Sequence, residues 1–106
     1  MSYSRVESDS LGGTAVLVVG KGCELGWVNA INTTGAAAFI QLFNAAAAAD
    51  VTLGTTVPDL VVPSAASSAG FQTNIETEFP LGIVAASTTT VAGNTGATQH
   101  LKIGIR

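Results

Sequence analysis

Apolar and polar positions alternate in short runs along this chain. Gly, Pro, Ala, Ser and Thr break the runs every dozen residues or so. A period of two puts successive side chains on opposite faces of a strand. Residues 14–19 (TAVLVV) are mostly β-branched or apolar and predict a strand. Residues 25–33 predict another, with Leu25, Trp27 and Ile31 on one face and Val28, Ala30 and Asn32 on the other. That face assignment puts Trp27 in the core. Residues 37–44 are apolar on both faces, Phe39 and Phe43 pointing one way and Ile40 and Leu42 the other. Such a strand is expected to be covered twice, by a core and by something else. Residues 71–79 read as one strand, with Phe71, Thr73, Ile75, Thr77 and Phe79 inward and Gln72, Asn74, Glu76 and Glu78 outward. The last strand, 99–106, turns Leu101, Ile103 and Ile105 inward and His100, Lys102 and Arg106 outward.

The segments between these strands are weaker signals. Residues 3–7 predict a short edge strand or an arm, and 8–13 (SDSLGG) a turn. The alanine run 45–49 favours helix by propensity. It is too short to stand alone, so at most one helical turn is expected there. Residues 60–62 lie between Pro58 and Pro63, which suits a short strand at a sheet edge. Residues 81–91 predict a long strand, and 92–97 (AGNTGA) a hairpin loop. Recurrent short strands with regular turn signals predict an all-β fold, a small antiparallel β-sandwich or jelly-roll-like domain. The expected organisation is an N-terminal arm or edge strand over 1–13 and a sandwich domain over 14–106.

Composition changes the picture in one respect. The 106 residues suffice for one domain and are 47% apolar but only 10% charged, against about 25% in an average domain. A small domain has much surface to cover. Apolar surface is expected to be left over for a permanent neighbour, either further copies or a larger partner. The net charge of −3 and four scattered basic residues supply no basic stripe for nucleic acid and no basic amphipathic helix for a membrane. Residues 1–10 lack the pattern of a signal peptide, so synthesis as a soluble cytoplasmic chain is expected.

Candidate chemistry is sparse. Gly20, Gly22 and Gly26 after a strand come close to the dinucleotide fingerprint, but that motif needs a helix to receive the pyrophosphate. Here a strand pattern follows, and a hairpin turn is the simpler reading. His100, the single histidine, lies on the polar side of its strand with no nucleophile assignable beside it. Cys23 is the single cysteine, so neither an internal disulfide nor a cysteine-based zinc site can form. Asp50, Asp59, Glu76 and Glu78 are too dispersed for a recognisable calcium loop. Asn32-Thr33-Thr34 matches the glycosylation pattern but has no secretory context. No catalytic, cofactor-binding or metal residue is assigned, and no enzyme activity or cofactor is expected.

Three segments, FIQLFNA (39–45), LGTTVPDLVVP (53–63) and FPLGIVAASTTT (79–90), resemble small β-sandwich head proteins of tailed bacteriophages, the cement or decoration proteins. The likeness covers about half the chain and consists of strand pattern, not reactive residues. It implies a structural virion protein on the outer capsid surface, a homotrimer that stabilises the shell by bridging major capsid subunits. The alternative is a receptor- or carbohydrate-binding β module on a tail or fibre, which would display exposed aromatics beside carboxylates and amides. A small hydrolase or isomerase on a β scaffold ranks behind both.

Overall fold

A computed structural model describes residues 3–106. Met1 and Ser2 of the expected arm lie outside the described residues. Nine strands follow in chain order: β1 (Ser4–Leu11), β2 (Val16–Val19), β3 (Cys23–Asn32), β4 (Ala38–Asn44), β5 (Leu60–Ser64), β6 (Ser68–Gln72), β7 (Thr77–Phe79), β8 (Ile83–Thr88) and β9 (Gln99–Ile105). A single 3₁₀ turn, Ala48–Asp50, is what becomes of the alanine run.

The strands form two antiparallel sheets. One has the order β1-β9-β3-β6, with the short β7 also pairing to β3; the other has the order β2-β8-β4-β5. Successive strands mostly swap sheets, which is the strand order of a jelly roll. The inward faces interdigitate. Leu25, Val28, Ala30, Leu101 and Ile103 from the first sheet meet Ile40, Leu42, Val62, Ile83 and Ala85 from the second, all essentially inaccessible to solvent. β5 is an edge strand of its sheet, the position that suits Pro63 within it.

Four expectations need correction. Residues 8–11 are not a turn: β1 runs on to Leu11 through a register shift after Ser8, with Ser10 in the left-handed region at φ 56°. Residues 20–22 do not close a hairpin, because β2 and β3 lie in different sheets. Residues 89–97 double back on β8, where the Thr89 and Ala97 amides donate to Thr95 and Ser87 carbonyls. The chain then crosses to the other sheet instead of pairing β8 with β9. The long strand expected over 81–91 ends at Thr88.

The second cover on β4 is intramolecular. Phe43 packs with Ala45, Val51 and Val84 under the loop that follows β4. Gln41, also buried, donates from Nε2 to Thr88 Oγ1 (2.7 Å) and to the Gly93 carbonyl (3.0 Å). Loops 45–59 and 89–97 thus roof the outer face of the four-stranded sheet. Asp59 pins the first of them, accepting the Asn44 amide at 2.7 Å while its own amide donates to Leu42.

One end of the sandwich is polar inside. Gln99 of β9 reaches across to the other sheet, accepting from Ser64 Oγ at 2.5 Å and donating to Ser87 Oγ at 2.9 Å. Ser87 Oγ in turn donates to the Ala97 carbonyl. Asn32 of β3 donates to the carbonyls of Ala36, Ser64 and Ala65, and its Oδ1 accepts from Thr34. It is 1% exposed. The glycosylation pattern is therefore a buried Asx turn, not an acceptor site.

Candidate functional site

The outer face of the five-stranded sheet, left uncovered by loops, carries a groove of about 580 Å³. That volume lies within the range of small-molecule sites, about 300–1,000 Å³. The groove originates in a β-bulge. Leu25 pairs with Ile105 and Trp27 with Gly104, so Gly26 is an extra residue on β3. The bulge shifts the alternation by one position. Leu25 and Val28 both face the core, and Trp27 turns outward with Asn29 and Ile31. Trp27 is thus half-buried on the outer face, not a core residue as its spacing from Leu25 suggests.

Two buried glycines let aromatic rings settle onto the sheet. A Cβ at Gly104 would collide with the Trp27 indole at Nε1, Cε2 and Cδ1, so the pyrrole part of the ring rests directly on β9. A Cβ at Gly26 would likewise strike the ring of Tyr3. Opposite the bulge the neighbouring strand is interrupted, and the expected single strand over 71–79 is two strands. β6 pairs with Val28–Asn32 and β7 with Cys23–Leu25. The intervening 73–76 link is tied by the Ile75 amide to the Gly26 carbonyl at 3.0 Å. It holds Asn74 and Glu76 in the left-handed region at φ 57° and 48°, an uncommon backbone for non-glycine residues. The interruption reverses the expected orientation of Phe71. It lies outward and 60% exposed, whereas Phe79 is fully buried.

The sheet beneath the groove can be read by row. Phe71, Asn29, Lys102 and Glu7 are cross-strand neighbours on β6, β3, β9 and β1. Trp27, Gly104 and Arg5 form the next row. Thr73, Asn74 and Glu76 of the link close one side. The Glu7 carboxylate lies 3.3 Å from Arg5 Nε and 3.8 Å from the Lys102 ammonium, so one carboxylate offsets both cations.

At the groove's end Tyr3 Oη donates to Glu24 Oε1 at 2.9 Å, and Arg106 Nε donates to the same oxygen at 2.6 Å. The Arg106 guanidinium lies 4.6 Å from the Tyr3 ring centroid. The Tyr3 hydroxyl, and secondarily Arg106, hold the Glu24 carboxyl below its ordinary value against the opposing effect of desolvation. Desolvation and donation to Glu24 push the Tyr3 hydroxyl up.

The residues weighed from sequence fall elsewhere or act structurally. His100 is half-buried on the outer face, opposite Ile31 and outside the groove. Cys23 is a half-buried thiol whose titration burial pushes up. Among the described residues no group of three or more His, Cys, Asp or Glu is placed to hold a metal ion. Asp59 braces a loop, and Glu76 lines the groove. Strand alternation alone does not reveal the groove, although a glycine inside a strand pattern signals a bulge or a close approach. Gly26 and Gly104 both carry that signal.

The fold defines a class, small jelly-roll domains with one roofed and one open sheet. No family model, curated protein or solved structure matches the chain.

Proposed function

We propose that the protein is a structural component of a tailed-phage particle, binding the outside of the capsid and bridging major capsid subunits. The strand-pattern resemblance over 39–45, 53–63 and 79–90 supports the kind of particle. The observation that carries the reading is the loop layer over the four-stranded sheet. Residues 45–59 and 89–97 contain two charged side chains, Asp50 and Asp59. They bring Val57 and Val91 to the surface 81% and 54% exposed. Depletion of charge with apolar side chains outward is the composition of an interface centre, and a sparsely charged surface suits association that does not depend on long-range steering.

Assembly as a homotrimer belongs to the same reading. β4 lends it no support, because its second face is covered by the chain's own loops. Val16 and Leu17, exposed on the edge strand β2, do. In a particle carrying many copies, weak individual contacts add through avidity.

The test is to incubate the pure protein with stripped shells and with unassembled capsid subunits. Binding to shells should exceed binding to subunits, because the footprint spans a seam that exists only after assembly. It should survive roughly 0.5 M salt, where the Debye length falls to about 4 Å. Val57→Lys with Val91→Lys should abolish binding while leaving the melting temperature unchanged. Equal binding to shells and subunits would sink the proposal, as would full binding by the double variant.

A further inference from the structure

We propose that the open face of the five-stranded sheet is a saccharide-binding groove that takes a neutral oligosaccharide of two or more pyranose rings. This rests on the groove alone and is independent of the capsid reading. Sugars present an apolar C–H face and a rim of hydroxyls, so a site for them needs an exposed aromatic surface beside amides and carboxylates. The groove supplies both. The pyrrole part of the Trp27 indole rests against Gly104, which seats the ring on the sheet. Phe71 sits diagonally from it on the adjacent strand, opposite Asn29, at the separation of about 7–8 Å that diagonal neighbours keep. Asn29, Asn74 and Glu76 ring the aromatic pair with hydrogen-bonding groups. Four strands at about 4.8 Å spacing give roughly 14 Å between β6 and β1, more than a single sugar ring spans.

Charge selects against the other ligands that stack on aromatics. A nucleotide phosphate needs uncommitted cations. Both basic residues on the groove, Arg5 and Lys102, share the Glu7 carboxylate, and Glu76 adds an anion to the opposite wall. A peptide adding as a further strand needs a free strand edge, but β3 and β9, which form the floor, are hydrogen-bonded on both sides.

Trp27 is the single tryptophan of the chain, so its fluorescence reports on this site without interference. Cellotriose, maltotriose and N,N′,N″-triacetylchitotriose would each be titrated against the full chain, with dAMP as the anionic stacking control. At least one trisaccharide should shift the emission saturably with a Kd of about 1 mM or tighter, and dAMP should not. Phe71→Ala should weaken that binding about tenfold, as loss of an aromatic anchor does, with the melting temperature unchanged because Phe71 is largely exposed. Gly104→Ala should alter the emission itself by lifting the indole. The proposal is overturned if none of the three sugars gives a saturable shift, if dAMP binds as well as the best of them, or if Phe71→Ala binds like the parent. Shell binding by the Phe71→Ala protein would be unaffected, which separates this inference from the capsid reading.

Discussion

Gln99 is the side chain whose replacement most directly tests how the two sheets are held in register. It is fully buried on β9 and bonds to Ser64 and Ser87 on the opposite sheet. Gln99→Leu conserves most of the volume but deletes both bonds. Each is worth about 1 kcal/mol net, and stranding the buried Ser64 hydroxyl adds a desolvation cost of about 1–3 kcal/mol. Ser87 keeps the Ala97 carbonyl as its acceptor, whereas Ser64 keeps only a long 3.5 Å contact to the Ala38 carbonyl, so the larger penalty falls at Ser64. Extra apolar burial by the leucine offsets part of the loss, leaving about 2–3 kcal/mol. For a domain of this size that lowers the melting temperature by roughly 10–20 °C. Ser64→Ala in the same background removes the stranded hydroxyl. The double variant should therefore recover much of the loss, with a coupling energy of about 1 kcal/mol or more. Urea titrations of the four proteins, read at the midpoint with the slope checked for constancy, give the cycle. Strict additivity, or a Gln99→Leu protein as stable as the parent, would refute the claim that this network spans the sheets energetically.

Other outcomes follow from the edges of the same sheet. Glu24 has a depressed folded pKa, so its contribution is present above the unfolded value near 4.5 and lost as pH falls through the lower folded value. Melts on acidification below about pH 5 should show this loss, and Glu24→Gln should flatten that part of the pH profile. Glu24 and Glu78 are register partners on β3 and β7. Glu78→Lys should raise stability by about 0.2–1 kcal/mol, because a like-charged cross-strand pair becomes an opposite one; a lower urea midpoint would contradict this.

Period-two alternation made most of the fold legible. It sets the inward faces of β4 and β9, and the prolines around 60–62 set the edge position of β5. What alternation could not show was a change of phase. The extra residue at Gly26 swaps Trp27 out of the core, and the break after Gln72 does the same to Phe71. Each side chain obeys the local pattern on its own strand segment, but the segments are out of step. A bulge depends on hydrogen bonding between strands distant in sequence, so the information is divided between Gly26, Gly104 and the 73–76 link. The two-sided apolar character of β4 was likewise visible, but not that loops from the same chain cover it. Cover by a neighbouring molecule and cover by a self-contributed roof leave identical marks on one strand. The groove was hidden for the same reason, since its parts come from β1, β3, β6, β9 and the 73–76 link.

The position of β9 has a consequence for how the molecule comes into being. It is the last of the nine strands in sequence, yet it lies between β1 and β3 in the middle of its sheet. Until it is made, β1 has no partner in that sheet, β3 has one open side, and Leu101, Ile103 and Ile105 are missing from the interior. The earlier strands cannot settle stepwise as they emerge from the ribosome. Joining Ser4 to Ile105 closes the full span of the domain at once, a step that is slow in proportion to its loop entropy. Folding should therefore wait for β9 and show a single late phase. A truncation that removes β9 should leave a chain with exposed strand edges that aggregates instead of a slightly shortened domain.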